Sequence, residues 1–145
     1  MADMKNVSKK SVYMGRLPHG GDLLEELTNI CRDQNIQSGR VEAIGAVEKA
    51  CIGYYDQKKW EYQFHTLDQA MEILKLSGNI SLKDGAPMVH AHIILADDQG
   101  RAFGGHLAPG TVIFACECII EAFDSSAFNR VYDEETGLPL WGPSS

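Results

Sequence analysis

A chain of 145 residues, 44% hydrophobic and 23% charged, carries enough apolar material for one buried core without disulfide staples. Its formal charge of −7, from 13 basic against 20 acidic residues with no dense basic cluster, argues against autonomous binding to duplex DNA. No apolar run approaches the roughly 18 residues that span a bilayer, and the polar residues 1–10 lack the apolar stretch of a secretory signal, so a cytoplasmic protein without a membrane partner is expected.

Residues 1–10 read as a loose polar lead, and Ser11–Leu17 as a short strand. Asp22, with Glu25 three residues on, marks a helix start. Leu23, Leu24, Leu27, Ile30 and Cys31 then recur at helical spacing, and Asn35 is a plausible stop. From Gly39 the pattern turns to strands. Val41–Tyr55 is interrupted by Gly45 and Gly53, which suit bulges or close backbone approach. After a turn at Asp56–Lys59, Trp60, Tyr62, Phe64 and Thr66 alternate with polar residues, and His65 falls on the polar side. Residues 71–83 place Leu74, Leu76, Ile80 and Leu82 on one face of a further strand. Met88–Ala96 and Arg101–Leu107 form the next two strands, around a turn at Asp97–Gly100. Thr111–Phe123 is almost continuously apolar and reads as a central strand covered on both faces. The tail from Asp124 is polar and turn-rich. The expectation is one α+β domain over residues 1–145, with a core at about 11–141 between polar tails at 1–10 and 142–145. About seven strands form a mainly antiparallel sheet packed with one main helix.

The residues that could carry chemistry lie in the late strands. His90 and His92 are two apart, so they share a strand face, and the other face is apolar. The register of the following hairpin decides where His106 falls. A three-residue loop Asp98-Gln99-Gly100, with Gly100 left-handed, pairs His92 with His106, whereas a loop Asp97-Asp98-Gln99 pairs His90 with His106. Both put three imidazoles on one face. A two-residue loop sends His106 to the other side. The glycine in the last loop position favours the first arrangement. Neutral imidazoles are ligands for divalent zinc, iron or nickel, and three ligands with an open position is the plan of catalytic zinc sites. Gly104 and Gly105 leave room beside such ligands. Glu117 is expected to be paired, at an interface, or a group supporting the metal. Cys116 and Cys118 share a strand face and read as small core hydrophobes rather than a soft-metal pair. Arg16, Glu72 and Arg130 read as ordinary ion-pair partners. No nucleophile elbow, phosphate loop or dinucleotide fingerprint occurs.

The stretches GRLPHGGDLLEELTNIC, SGRVEAIGAVEKACIGYYD and MEILKLSGNISLKDGAPMVHAHIILADDQGRAFGGHL resemble the PPC (plant and prokaryote conserved) domain family, from about Val12 to Trp141. The stand-alone prokaryotic members are related to the domain that accompanies AT-hooks in plant nuclear proteins. The resemblance implies a seven-stranded antiparallel sheet on a helix, a homotrimer, and a metal site at the histidines matching His90, His92 and His106. Plant members lack these histidines, and this chain lacks the Arg-Gly-Arg-Pro core of an AT-hook. The DNA-binding label attached to prokaryotic members is therefore an analogy of fold rather than of site. Two functions stand against each other: a trimeric metal-dependent enzyme or small-ligand protein, with zinc the first candidate ion, and a DNA-associated regulatory scaffold.

The charge balance predicts no sub-micromolar binding of random-sequence duplex at about 150 mM salt, because non-specific affinity rests on neutralised phosphates. A fluorescence-anisotropy titration with a labelled duplex checks this.

Overall fold

The computed structural model describes residues 2–143; Met1, Ser144 and Ser145, parts of the predicted polar tails, lie outside the described residues. The elements in chain order are β1 (Ser8–Leu17), α1 (Leu23–Asp33), β2 (Gly39–Asp56), β3 (Glu61–Leu67), β4 (Met71–Lys83), β5 (Ala86–Ala96), β6 (Ala102–Leu107), β7 (Val112–Asp124), β8 (Arg130–Asp133) and β9 (Leu138–Trp141). Strands β1–β7 form one antiparallel sheet in the order β1-β7-β2-β4-β5-β6, with β3 paired to β2. The fold is thus α+β with seven main strands and one helix, as the pattern of the sequence implies. No helix among the described residues is long and apolar enough to cross a membrane.

The helix starts where the sequence places it. An Asp22 carboxylate oxygen accepts from the Glu25 amide at 3.1 Å, and the other accepts from the Gly110 amide at 2.6 Å. One side chain therefore caps α1 and ties it to the turn before β7. Leu23, Leu27 and Cys31 are fully buried, with Leu24 and Ile30 packed at the margin. The helix ends at Gln34, and Asn35 takes the left-handed conformation, φ 51°.

The length of β2 shapes the sheet. Its first half pairs with β4 on one side and β7 on the other, and its far end pairs with β3. There it also meets β6, at Ile52↔Leu107 and Gly53↔His106, so the sheet curls around the core and returns to β2. Gly105 permits this closure: a Cβ at that position would sit 2.7 Å from the Gly53 carbonyl oxygen. The expected role of Gly105 in leaving room beside the histidines is corrected accordingly, since it faces the β2 backbone.

Three further expectations are corrected. β7 is covered on one face only: Cys116, Cys118 and Ile120 are buried, but Phe114, Glu117 and Ile119 are exposed. Leu74 does not share a face with Leu76 and Ile80, because a bulge between Ile73 and Lys75 turns it outward while Ile73 takes the core position. The loose lead is shorter than expected, with β1 beginning at Ser8, and the tail holds a second small sheet, the hairpin β8–β9. That hairpin docks on β4 through the Leu82 amide, which donates to the Phe128 carbonyl at 2.9 Å.

Gly105→Ala should destabilise the protein by about 1–3 kcal/mol, the usual range for overpacking, because the added methyl meets backbone that cannot step aside. Urea unfolding read by circular dichroism checks this.

Candidate metal centre

The turn from β5 to β6 takes the first of the two registers weighed from the sequence. Gly100 is left-handed, φ 73°, and its amide donates to the Asp97 carbonyl at 3.0 Å. The Asp97 side chain, only 1% exposed, accepts from the Gln99 amide (2.9 Å), the Arg101 amide (2.9 Å) and Arg101 Nε (2.7 Å). Burial alone raises a carboxyl pKa, but these bonds to the charged form prevail and hold Asp97 below its ordinary value. The register is then fixed at Ala96↔Ala102, with His92 opposite His106.

With that register, three imidazoles converge. The ring centroids lie 5.2 Å apart for His90–His92, 5.1 Å for His90–His106 and 5.8 Å for His92–His106. One potential ligand nitrogen from each lies within 4.8 Å of the others. Burial, then the neighbouring His106, Arg130 and His92, press the pKa of His90 from 6.5 down to about 4. Burial, then His92 and Arg130, also lower that of His106. Both rings are therefore neutral near pH 7, the form that ligates metals. His106 Nδ1 is buried and has no hydrogen-bond partner, an uncommon state for a polar atom. The donor set thus fits a divalent ion: three imidazole nitrogens in reach of one point, and an open pocket of about 320 Å³ beside them, lined by Ser77, Gly78, Asn79, His90 and His92.

Two residues at this centre carry no signal in the sequence. Tyr62 of β3 lies against His106, ring centroids 4.8 Å apart, because β3 and β6 both pair with the end of β2. Arg130, expected to be an ordinary ion-pair partner, instead reaches from β8 over β4. It donates to Ser81 Oγ at 2.9 Å, Asn79 Oδ1 at 2.9 Å and the Pro139 carbonyl at 3.0 Å. Asn79 is the register partner of His90, so the guanidinium sits at the edge of the cluster. Its charge acts on His90, His106 and Tyr62.

The other candidates lie elsewhere. Glu117 is not a support for the cluster: it projects from the outer face of β7, across from Arg16 and Ile44, with β2 and β4 between it and β5. Cys116 and Cys118 point into the core near Cys31, and burial pushes the Cys116 thiol up to about 12. These are protonated core side chains. His65 is exposed on β3 and outside the cluster.

The chain matches the Plants and Prokaryotes Conserved (PCC) domain over residues 4–124 and belongs to that family. Its fold is shared, at a TM-score of 0.90 and 41% identity, with a metal-containing protein of Archaeoglobus fulgidus, over 95% of this chain and 99% of that one. A plant- and prokaryote-conserved protein of Pyrococcus horikoshii matches at a TM-score of 0.92 and 33% identity, over 98% of each chain. A Bacteroides thetaiotaomicron protein for which DNA binding has been proposed matches at 0.84 and 27%, over 94% of this chain and 96% of that one. Bifunctional protein GlmU of a Synechococcus strain is 38% identical over 128 residues, 87% of this chain, which spans only 19% of that relative's length.

A depressed imidazole pKa has a definite linkage sign. The unfolded chain takes up protons at ordinary histidine values, near 6.5, while folded His90 does so only near 4. This contribution to stability is full above pH 6.5 and is lost as pH falls from there toward 4. For metal-free protein, the urea midpoint should drop between pH 7 and pH 5 more steeply in wild type than in His90→Gln. Parallel profiles would show that the ring is not held neutral.

Proposed function

We propose that the chain binds one divalent ion through His90, His92 and His106 and uses it on a small ligand, as a metal-dependent enzyme or small-ligand protein. The observation that carries this reading is the convergence of three imidazoles, one with an orphaned buried nitrogen, beside an open pocket. The metal content named for the Archaeoglobus fulgidus relative supports it. Zinc is the first candidate, with iron and nickel compatible with the same donors. An ion with three protein ligands supplies Lewis acidity at its remaining position. Tyr62, packed on His106, walls one side, and Arg130 adds fixed positive charge on another.

The second reading, a DNA-associated scaffold, is supported by the Bacteroides thetaiotaomicron relative. The acidic balance and the local character of the histidine cluster favour the first.

We further propose that the chain assembles as a homotrimer through the outer sheet face. Met14, Ile44, Leu74, Ile94, Phe114 and Ile119 are all at least 40% exposed there. They run across β1, β7, β2, β4 and β5, with Met14 opposite Ile119. An apolar stripe of this breadth is unusual on a monomer, and β7, apolar on both faces, has its outer face uncovered within one chain. Light scattering should give three times the chain mass, and Ile119→Asp should reduce it. A stable wild-type monomer at micromolar concentration excludes the assembly.

The metal reading is tested by elemental analysis after dialysis without strong chelator. Wild type and His65→Ala should carry one ion per chain, and His92→Ala should carry none while keeping its circular dichroism. Equal content in wild type and His92→Ala would overturn the assignment.

A further inference from the structure

We propose that Arg130 and the histidine centre together form a binding site for a small oxyanion, a carboxylate or phosphate group that bridges the guanidinium and the ion. The inference rests on the metal reading above and names the ligand class of that site.

The first argument is charge. Imidazoles ligate a metal as neutral rings, so three of them leave a divalent ion's charge uncompensated, and Arg130 adds a further positive charge. Neither the pocket-lining residues nor those that hold Arg130 include a carboxylate: they are serine, glycine, asparagine, histidine and a proline carbonyl. Two arginines that are exposed, by contrast, each pair with a carboxylate. Arg40 meets Glu121 at 2.8 Å and Arg101 meets Asp97 at 2.7 Å. Arg130, half-buried, makes no ion pair with a carboxylate among the described residues. Withdrawing a cation from water without a counter-charge is unfavourable, and a chain with 20 acidic residues does not lack carboxylates to supply one. The counter-charge belongs to a ligand.

The second argument is position. The guanidinium is held in a fixed plane by three neutral acceptors from two directions, Ser81 and Asn79 of β4 and the Pro139 carbonyl of β9. Three of its five N–H groups are thereby used. The remaining two, one on each terminal nitrogen, are free to form a fork toward an oxyanion. Ser77, Asn79 and Ser81 alternate along the β4 face that His90 and His92 share across the register, so Arg130 overlies the same face as the imidazoles. The hairpin that brings it there begins after residue 124, outside the segment matched to the family. The pocket, about 320 Å³, suits a small molecule.

The test uses the full chain loaded with cobalt(II), whose visible absorption reports changes around the ion. Cobalt per chain is measured for wild type, Arg130→Gln and Arg130→Lys, and each is titrated with benzoate and with inorganic phosphate by calorimetry and absorption. Wild type should bind one of the two anions with a spectral change, and the tighter one identifies the source of the oxyanion. Arg130→Gln, at unchanged cobalt content, should bind it at least about tenfold more weakly, the loss of a charge-assisted pair. Arg130→Lys should fall between, because it keeps the charge and loses the fork. If Arg130→Gln fails to fold, Arg130→Lys alone carries the comparison. Equal affinity in wild type and variants, or no binding of either anion to fully loaded wild type up to tens of millimolar, would overturn the proposal. Wild type that takes up no cobalt would instead bring down the metal reading, and this proposal with it.

Discussion

Asp97 holds the turn between β5 and β6 in one register, and the histidine cluster exists only in that register. The buried carboxylate is bonded to two amides and one guanidinium of the turn it begins. Side chains alternate with a period of two along a strand, so a slip of one residue would carry His106 to the core face and break the cluster. Gly100 accepts the left-handed turn that this register requires. The second anchor is the contact of β6 with the end of β2, where His106 lies opposite Gly53. Turn and closure together leave His106 one position on the sheet, facing His92.

The same closure explains the electrostatic character of the centre. It draws β3 and its Tyr62 against His106, and the docked β8–β9 hairpin covers the β4 side. His90 and His106 are thereby half-buried and held neutral, and beside them sits a guanidinium held by uncharged acceptors. A chain of net charge −7 thus presents a locally electropositive recess. The same outer sheet face carries, beginning at Ile94 beside His92, the apolar stripe that the proposed assembly would cover.

What could be read from the sequence was local. Strand parity places His90 beside His92, and the glycine-ended loop places His106 opposite, because both depend on spacing along a few residues. The Asp22 cap and the buried stripe of α1 were legible for the same reason. Two kinds of feature were not. A bulge adds one residue without marking the sequence, so Leu74 left the core face that alternation assigned to it. Contacts between distant segments carry no local pattern at all: Arg130 lies 40 positions beyond its neighbour His90, and the tail that holds it reads as polar turns. Glu117 failed differently. Its strand is apolar on both faces, which hid the fact that one face looks outward.

The central claim is that the ion is held by imidazole nitrogen from β5 and β6 and by no thiolate, Cys31, Cys116 and Cys118 being buried in the core and Cys51 lying outside the histidine cluster. X-ray absorption at the zinc edge of zinc-loaded protein measures this directly. The account predicts three imidazole nitrogens at about 2.0–2.1 Å with the multiple-scattering signature of their rings. A sulfur shell at about 2.3 Å, or fewer than two imidazoles around the ion, would contradict it.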